Sequence, residues 1–227
     1  ATARAAQTAA SNESRDRAYR AFLATLAESG VLDNLPVDTE GTLHVNMPFC
    51  HDFFEAPLLL PFLSDRALTS GAARAISVTG CDVRPQPLWW PGWEAWVLQE
   101  FGGKVRLHLE QRDLEKSRMP AEAGLTLGVH PEVTNGGPWP SIIANVLHSC
   151  APGGRVAFAT FYDMEAEATA KVCADLGWAS EIRESAYYVG QPRTAIGTFL
   201  RFAVVLTGPS AGAPPRALAQ PVAEGGV

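Results

Sequence analysis

The chain carries no excess of positive charge. Its 18 Lys and Arg stand against 24 Asp and Glu, giving a formal net charge of -6 and a pI near 5.4. A phosphate backbone asks for a broad cationic face, so nucleic acid is not indicated as the main partner, and only a local basic patch stays open. Long apolar runs are also missing: none is long enough to span a bilayer, and no secretory signal is present. The four cysteines, Cys50, Cys81, Cys150 and Cys173, form no Cys-x-x-Cys pair, and each has apolar neighbours. They read as reduced, partly buried thiols of an intracellular protein, in the cytoplasm or the interior of a plastid or mitochondrion. His44, His51, His108 and His148 lack ligand spacing with Cys or carboxylates, so no metal site is expected. Ala1–Arg20 is rich in Ala, Ser and Arg, as is the remnant of an organellar presequence. Glu13 and Asp16 are untypical of one, and trimming explains the segment equally well.

What is present is ordinary for a globular α/β chain: 227 residues, 47% hydrophobic and 19% charged. Ala1–Ser11 is of low complexity and expected to be mobile. Asn12–Leu32 then spaces Ala18, Phe22, Leu23, Leu26 and Ala27 as one helical stripe that Gly30 ends. Leu43, Val45 and Met47 alternate in a strand over Thr42–Phe49, followed by an apolar helix over Glu55–Leu68 with Pro57 in its first turn and Pro61 as a kink. Ala75–Gly80 is a second strand, Trp93–Phe101 a helix, and Lys104–Leu109 a third strand. The most informative stretch follows. Leu125–His130 is a buried strand, Pro131 and Asn135–Pro138 a loop, and Pro140–His148 a helix. Ala151-Pro152-Gly153-Gly154 is its stop, and Arg155–Phe161 another strand. Strand, helix, strand in that order is a right-handed crossover unit of a parallel sheet. A helix over Met164–Leu176 capped by Asp163 comes next. Strands around Glu181–Tyr188 and Thr198–Leu206, on either side of a Gly190–Pro192 turn, make an antiparallel finish. Three segments result: residues 1–41 as tail and helix, 42–207 as the domain, and 208–227 as a Pro/Gly/Ala-rich tail, disordered or draped over a partner.

An apolar helix ending in Ala-Pro-Gly-Gly-Arg-Val before a buried strand resembles the turn preceding the fifth strand of class I S-adenosylmethionine (SAM) methyltransferases. The resemblance covers Leu43 to Leu206 and rests on element order: five strand–helix repeats and a closing pair. It implies a Rossmann-like, mostly parallel sheet of seven strands with an antiparallel last strand, helices on both faces, and SAM as cofactor. The ligand of such a sheet lies beyond the carboxyl ends of the strands at the switch point. The first of those ends, Asn46–Phe54, contains no glycine, although the family places its glycine-rich loop there. The family's acidic residue near this strand end is absent too, unless Asp52 stands in for it. Read plainly, Phe49, Phe53 and Phe54 fill the space of the methionine moiety.

The later strand ends match the family better. Gly80-Cys81-Asp82 resembles its glycine-x-aspartate element, which implies that Asp82 accepts hydrogen bonds from the ribose hydroxyls; a cap after a strand is the equal alternative. Gln111-Arg112-Asp113-Leu114 resembles the element that holds the adenine amino group, so Asp113 and Leu114 inherit that role, with Asp113 as readily a cap for a helix over Glu115–Met119. His130 sits at the fourth strand tip, where methyl acceptors are engaged. It is either a general base for the acceptor's proton or a hydrogen-bonded structural residue. The Asn/Asp-Pro-Pro-aromatic motif of amino-group methyltransferases is absent, which argues against adenine, cytosine or glutamine as acceptor.

Trp89, Trp90, Trp93 and Trp96 crowd two helical turns. They read either as an aromatic surface for a partner protein, a pigment or a flat substrate, or as a satellite cluster closed by the N-terminal helix. Two functions are therefore expected. One is a SAM-dependent methyltransferase with a small-molecule or protein acceptor. The other is a catalytically silent methyltransferase fold, a pseudoenzyme serving as a structural subunit of a ribosomal, respiratory or photosynthetic assembly.

Overall fold

In a strand, successive side chains face opposite sides, so one strand with apolar residues at every position has to be covered on both. The segment Val156–Ala159 shows it. Val156 and Phe158 enter one core, while Ala157 and Ala159 enter another. The computed structural model describes residues 2–84, 90–120, 122–191 and 199–209. Among them, α1 (Thr2–Glu28), β1 (Thr42–Pro48), α2 (Ala56–Leu63), a π-helical segment (Ser64–Thr69), β2 (Ala75–Asp82), α3 (Trp90–Phe101) and β3 (Val105–Gln111) form the first half. The second half is β4 (Ala123–Val129), α4 (Trp139–Leu147), β5 (Cys150–Thr160), α5 (Asp163–Asp175), β6 (Trp178–Glu184) and β7 (Phe202–Pro209).

The seven strands lie in the order β3-β2-β1-β4-β5-β7-β6. β1 pairs parallel with β2 and β4, β2 with β3, and β4 with β5, while β7 runs antiparallel to both β5 and β6. This is the expected Rossmann-like sheet. The order reverses between β1 and β4, which puts the switch point at their carboxyl ends. One face is covered by α1, α2 and α3 through Phe22, Leu26, Leu59, Leu60, Trp90 and Val97. The other is covered by α4 and α5 through Ile143, Val146, Leu147, Ala166 and Cys173. Each such large side chain contributes roughly 1.5–3 kcal/mol by leaving water.

Several elements differ from their sequence reading. The N-terminal helix begins at Thr2 rather than Asn12, because the Ala-rich start is a strong helix former. The helix expected over Glu55–Leu68 is α only to Leu63 and continues as a π segment. No helix forms over Glu115–Met119, where the chain makes a single turn closed by Lys116 and Ser117 N–H to the Asp113 carbonyl. The Ala-Pro-Gly-Gly turn lies inside β5: Cys150 pairs with Ala123 and Arg155 with Leu125, so the four residues between them bulge out opposite Gly124. The closing strands also shift, to Trp178–Glu184 and Phe202–Pro209. Pro192 and the 198 end of the seventh strand, Trp89 and the tail from 210 onward lie outside the described residues. No described helix is long and apolar enough to cross a membrane.

Candidate functional site

The loop after β1 is built on a backbone that favours glycine but carries none. Phe49, His51 and Phe53 all take positive φ, at 48°, 47° and 52°. Each left-handed residue with a Cβ costs about 1–2 kcal/mol, so the surrounding contacts have to hold the loop in place. Four of them are hydrogen bonds from distant elements. Cys50 N–H donates to the Cys81 carbonyl at 3.0 Å, and His51 N–H to Oδ2 of Asp82 at 2.9 Å. The indole N–H of Trp90 donates to the His51 carbonyl at 2.9 Å, and that of Trp93 to the Asp52 carbonyl at 3.0 Å.

Side-chain chemistry completes the loop. His51 Nδ1 lies 2.9 Å from Oδ2 of Asp52, and the Arg84 guanidinium contacts His51 Nε2. With Nδ1–H donating to Asp52, Nε2 is left as the acceptor for Arg84. His51 and Arg84 therefore stand together beside Asp82. The three phenylalanines do not act as one plug, contrary to their sequence reading. The Phe49 ring leans on Trp139 and Phe158 toward α4, with ring centres 5.4 and 6.3 Å away. Phe53 is fully buried in the α1–α3 core, and Phe54 is half-exposed under the Arg15 guanidinium.

Asp82 ends β2 with its carboxylate buried at 7% exposure. Oδ2 accepts from His51 N–H, and Oδ1 from Arg84 N–H at 2.9 Å. Each carboxylate oxygen can accept two hydrogen bonds, so among the described residues one site per oxygen is left beyond these partners. Two adjacent acceptor oxygens are what a vicinal pair of hydroxyl donors would require. The turn-cap role is the one these contacts display, and it leaves the carboxylate at the strand tip where a ribose would be met.

Asp113 is already engaged. Lys116 Nζ lies 2.9 Å from its Oδ2, Glu115 N–H donates to its Oδ1 at 3.0 Å, and the Lys116 partner holds its carboxyl below the ordinary value. Leu114 is buried beneath α4 with Ile143 and Val146, and its carbonyl accepts from Asn145 Nδ2 at 2.9 Å. Asp52 and Asp82 are joined through His51, whereas Asp113 caps its own turn.

His130, at the end of β4, is a fourth positive-φ residue, at 56°. Its ring stacks on Phe161 with centres 3.8 Å apart and planes 10° from parallel. Nε2 lies 3.3 Å from Oε1 of Glu165, and Nδ1 lies 3.8 Å from Oε1 of Glu132. Glu165 is 5% exposed, and its Oε2 accepts from Phe161 N–H and Tyr162 N–H at 3.1 and 3.3 Å. The first turn of α5 is thus tied by Glu165, where the sequence pointed to Asp163 as the cap. A buried carboxylate thus meets a mostly buried imidazole at a strand tip, the kind of pairing that general-base chemistry requires.

Sequence reasoning missed His51, Arg84 and Glu165. Glu165 had one available signal, an acidic residue in the first turn of a helix. Trp90 is fully buried, so it offers no surface to a partner; Trp93 and Trp96 pack edge to face, 5.7 Å apart, against the same core. The four cysteines are free thiols, and burial pushes Cys81 and Cys173 up to about 12 and Cys150 up to about 11. Among the described residues no group of His, Cys, Asp and Glu is placed to hold a metal ion.

No family model matches the chain. No curated protein matches it either. Solved structures do. The N-methyltransferase NodS from Bradyrhizobium japonicum WM9 superposes with a TM-score of 0.51 at 12% identity, covering 83% of this chain and 97% of that one. A SAM-dependent O-methyltransferase from Thermotoga maritima gives a TM-score of 0.50 at 14% identity, covering 78% and 63%. The CurJ carbon methyltransferase gives 0.48 at 10% identity, and this chain spans 49% of its length. Strand order, switch point and the first two of these likenesses agree: the chain has the Rossmann-like fold of the class I SAM-dependent methyltransferases.

Proposed function

We propose that the chain is a SAM-dependent methyltransferase that uses His130 to take the acceptor's proton. The carrying observation is the contact between His130 Nε2 and the buried Glu165 carboxylate at the carboxyl end of β4, beside the switch point. SAM, when bound, supplies an electrophilic methyl group on a sulfonium. Asp82, with one free acceptor site on each oxygen, is the residue suited to the ribose hydroxyls. With Nε2–H turned to Glu165, Nδ1 of His130, 3.8 Å from Glu132 Oε1, is the nitrogen that remains to act as the base. His130 Nδ1 would take the proton of an acceptor heteroatom as that atom is methylated, the methyl group coming from the cofactor that Asp82 would hold. Stacking on Phe161 fixes the imidazole plane.

A second reading has its own observation. The glycine-free loop is bonded to Asp82, Trp90 and Trp93, and both carboxylate oxygens of Asp82 have partners within the chain. A fold so closed suits a catalytically silent subunit of a larger assembly. One titration separates the two. Calorimetry with SAM and with S-adenosylhomocysteine on the full chain and on Asp82→Ala is expected to give micromolar binding that the substitution removes. Absence of binding by the folded wild-type protein overturns the enzyme and leaves the silent subunit.

A further inference from the structure

At the other end of the sheet, away from the strand tips just described, lies a cavity of about 320 Å³. Its walls come from three places. The loop between α1 and β1 gives Leu32, Leu35 and Val37; the start of β1 gives Leu43; the end of α2 and the π segment give Leu63, Arg66 and Ala67. The hairpin-like turn before β2 closes the floor, where Ala73 N–H donates to the Ala67 carbonyl at 2.8 Å. Concave clefts of this size are where small ligands bind. Ala67, Ala72 and Ala73 line part of it with small side chains, Ala72 exposed to solvent.

Arg66 is the single charged residue among those lining the cavity. Its guanidinium, on a partly exposed side chain, lies 5.8 Å from the Phe62 ring centre and 4.0 Å from the nearest Asp33 oxygen, a distance too long for a hydrogen bond. The π segment that carries it is an unusual element, of a kind often found at functional sites. A mostly apolar, half-open cleft lined also by the Asn34 amide and one guanidinium matches a ligand with an apolar body and one anionic head. Asp33 beside that cation neutralises part of its charge, which favours a monoanion over a phosphate dianion. A carboxylate also meets the guanidinium fork with two parallel hydrogen bonds.

From this geometry we infer a second site, distinct from the strand-tip crevice, for a medium-chain aliphatic monocarboxylate whose tail fills the cavity and whose head pairs with Arg66. It does not depend on the methyltransferase reading. Calorimetric titration of the full chain with octanoate tests it, with butyrate, octan-1-ol and octyl phosphate as comparisons. Saturable octanoate binding is expected, about tenfold or more weaker in Arg66→Gln, with octan-1-ol and butyrate similarly weakened. Ala72→Leu, at an exposed lining position, is expected to weaken octanoate with the fold intact by circular dichroism, and Ala67→Phe to abolish it. Three results overturn the site: no saturable octanoate binding, equal binding by Arg66→Gln, or unchanged binding by folded Ala72→Leu. Octyl phosphate binding more tightly than octanoate overturns the carboxylate assignment.

Discussion

Glu165 holds His130 and the first turn of α5 with one carboxylate: Oε1 lies 3.3 Å from His130 Nε2, and Oε2 accepts from the N–H groups of Phe161 and Tyr162. A single buried side chain thus links the tip of β4 to the end of β5. A base position and a helix cap depend on it together.

The two roles separate by substitution. His130→Gln removes the base and leaves the α5 cap, so methyl transfer is expected to fall by about 10²–10⁴ with SAM affinity and unfolding midpoint little changed. Glu165→Gln keeps one acceptor for the cap but weakens the orientation of the imidazole. It is expected to lose about 1 kcal/mol of stability and to shift the pH profile of transfer, which a purely structural role would not move. Transfer rates across pH, alongside urea unfolding, measure both.

The left-handed loop after β1 sets strain against packing. His51→Gly relieves about 1–2 kcal/mol of backbone strain on an exposed ring and gives part of it back through a more flexible unfolded chain, so its stability is expected within about 1 kcal/mol of wild type. Phe53→Gly relieves the same strain but empties a fully buried site, for which aromatic deletion costs about 3–5 kcal/mol. Packing wins there. Equal effects of the two substitutions in chemical denaturation would contradict this account.

Gly128 shows what Phe49 fills. A Cβ on Gly128 would lie 2.6 Å from a ring carbon of Phe158 and 2.7 Å from one of Phe49. Gly128→Ala is expected to cost about 1–3 kcal/mol by overpacking. Adding Phe49→Leu should recover part of that loss, and a double-mutant cycle measures the coupling.

Glu55 gives a pH dependence. Burial pushes its carboxyl up from 4.5 to about 7, with the Asp52 charge adding and Arg15 opposing. Between those two values the unfolded chain ionises while the folded chain keeps the proton, so stability falls as pH rises and the full loss is present above about pH 7. Because the side chain retains some solvent contact, the loss is of order 1–2 kcal/mol. Glu55→Gln is expected to unfold later than wild type at pH 8 and to match it near pH 4. The difference between their melting points across pH isolates this one group.

The sequence by itself determined the layered architecture. Apolar runs of strand length, helices stopped by glycine and the crossover through Pro140–His148 are local patterns, and local patterns are carried by neighbours in the chain. Asp82 was legible for the same reason, as an acidic residue directly after a buried strand. Only the tertiary structure decided what surrounds it. His51 meets Asp82 across 31 residues, Trp90 meets His51 across 39, and His130 meets Glu165 across 35. No periodicity records such pairings, because the sheet order sets them. Trp90 and Trp93, read as part of a surface or a satellite cluster, are clamps on a strained loop, and the helix expected after Asp113 is reduced to a turn by its own Lys116 and Ser117 contacts. The cavity beside Arg66 was equally invisible, since its walls come from three separated segments that meet only at the amino ends of β1 and β2.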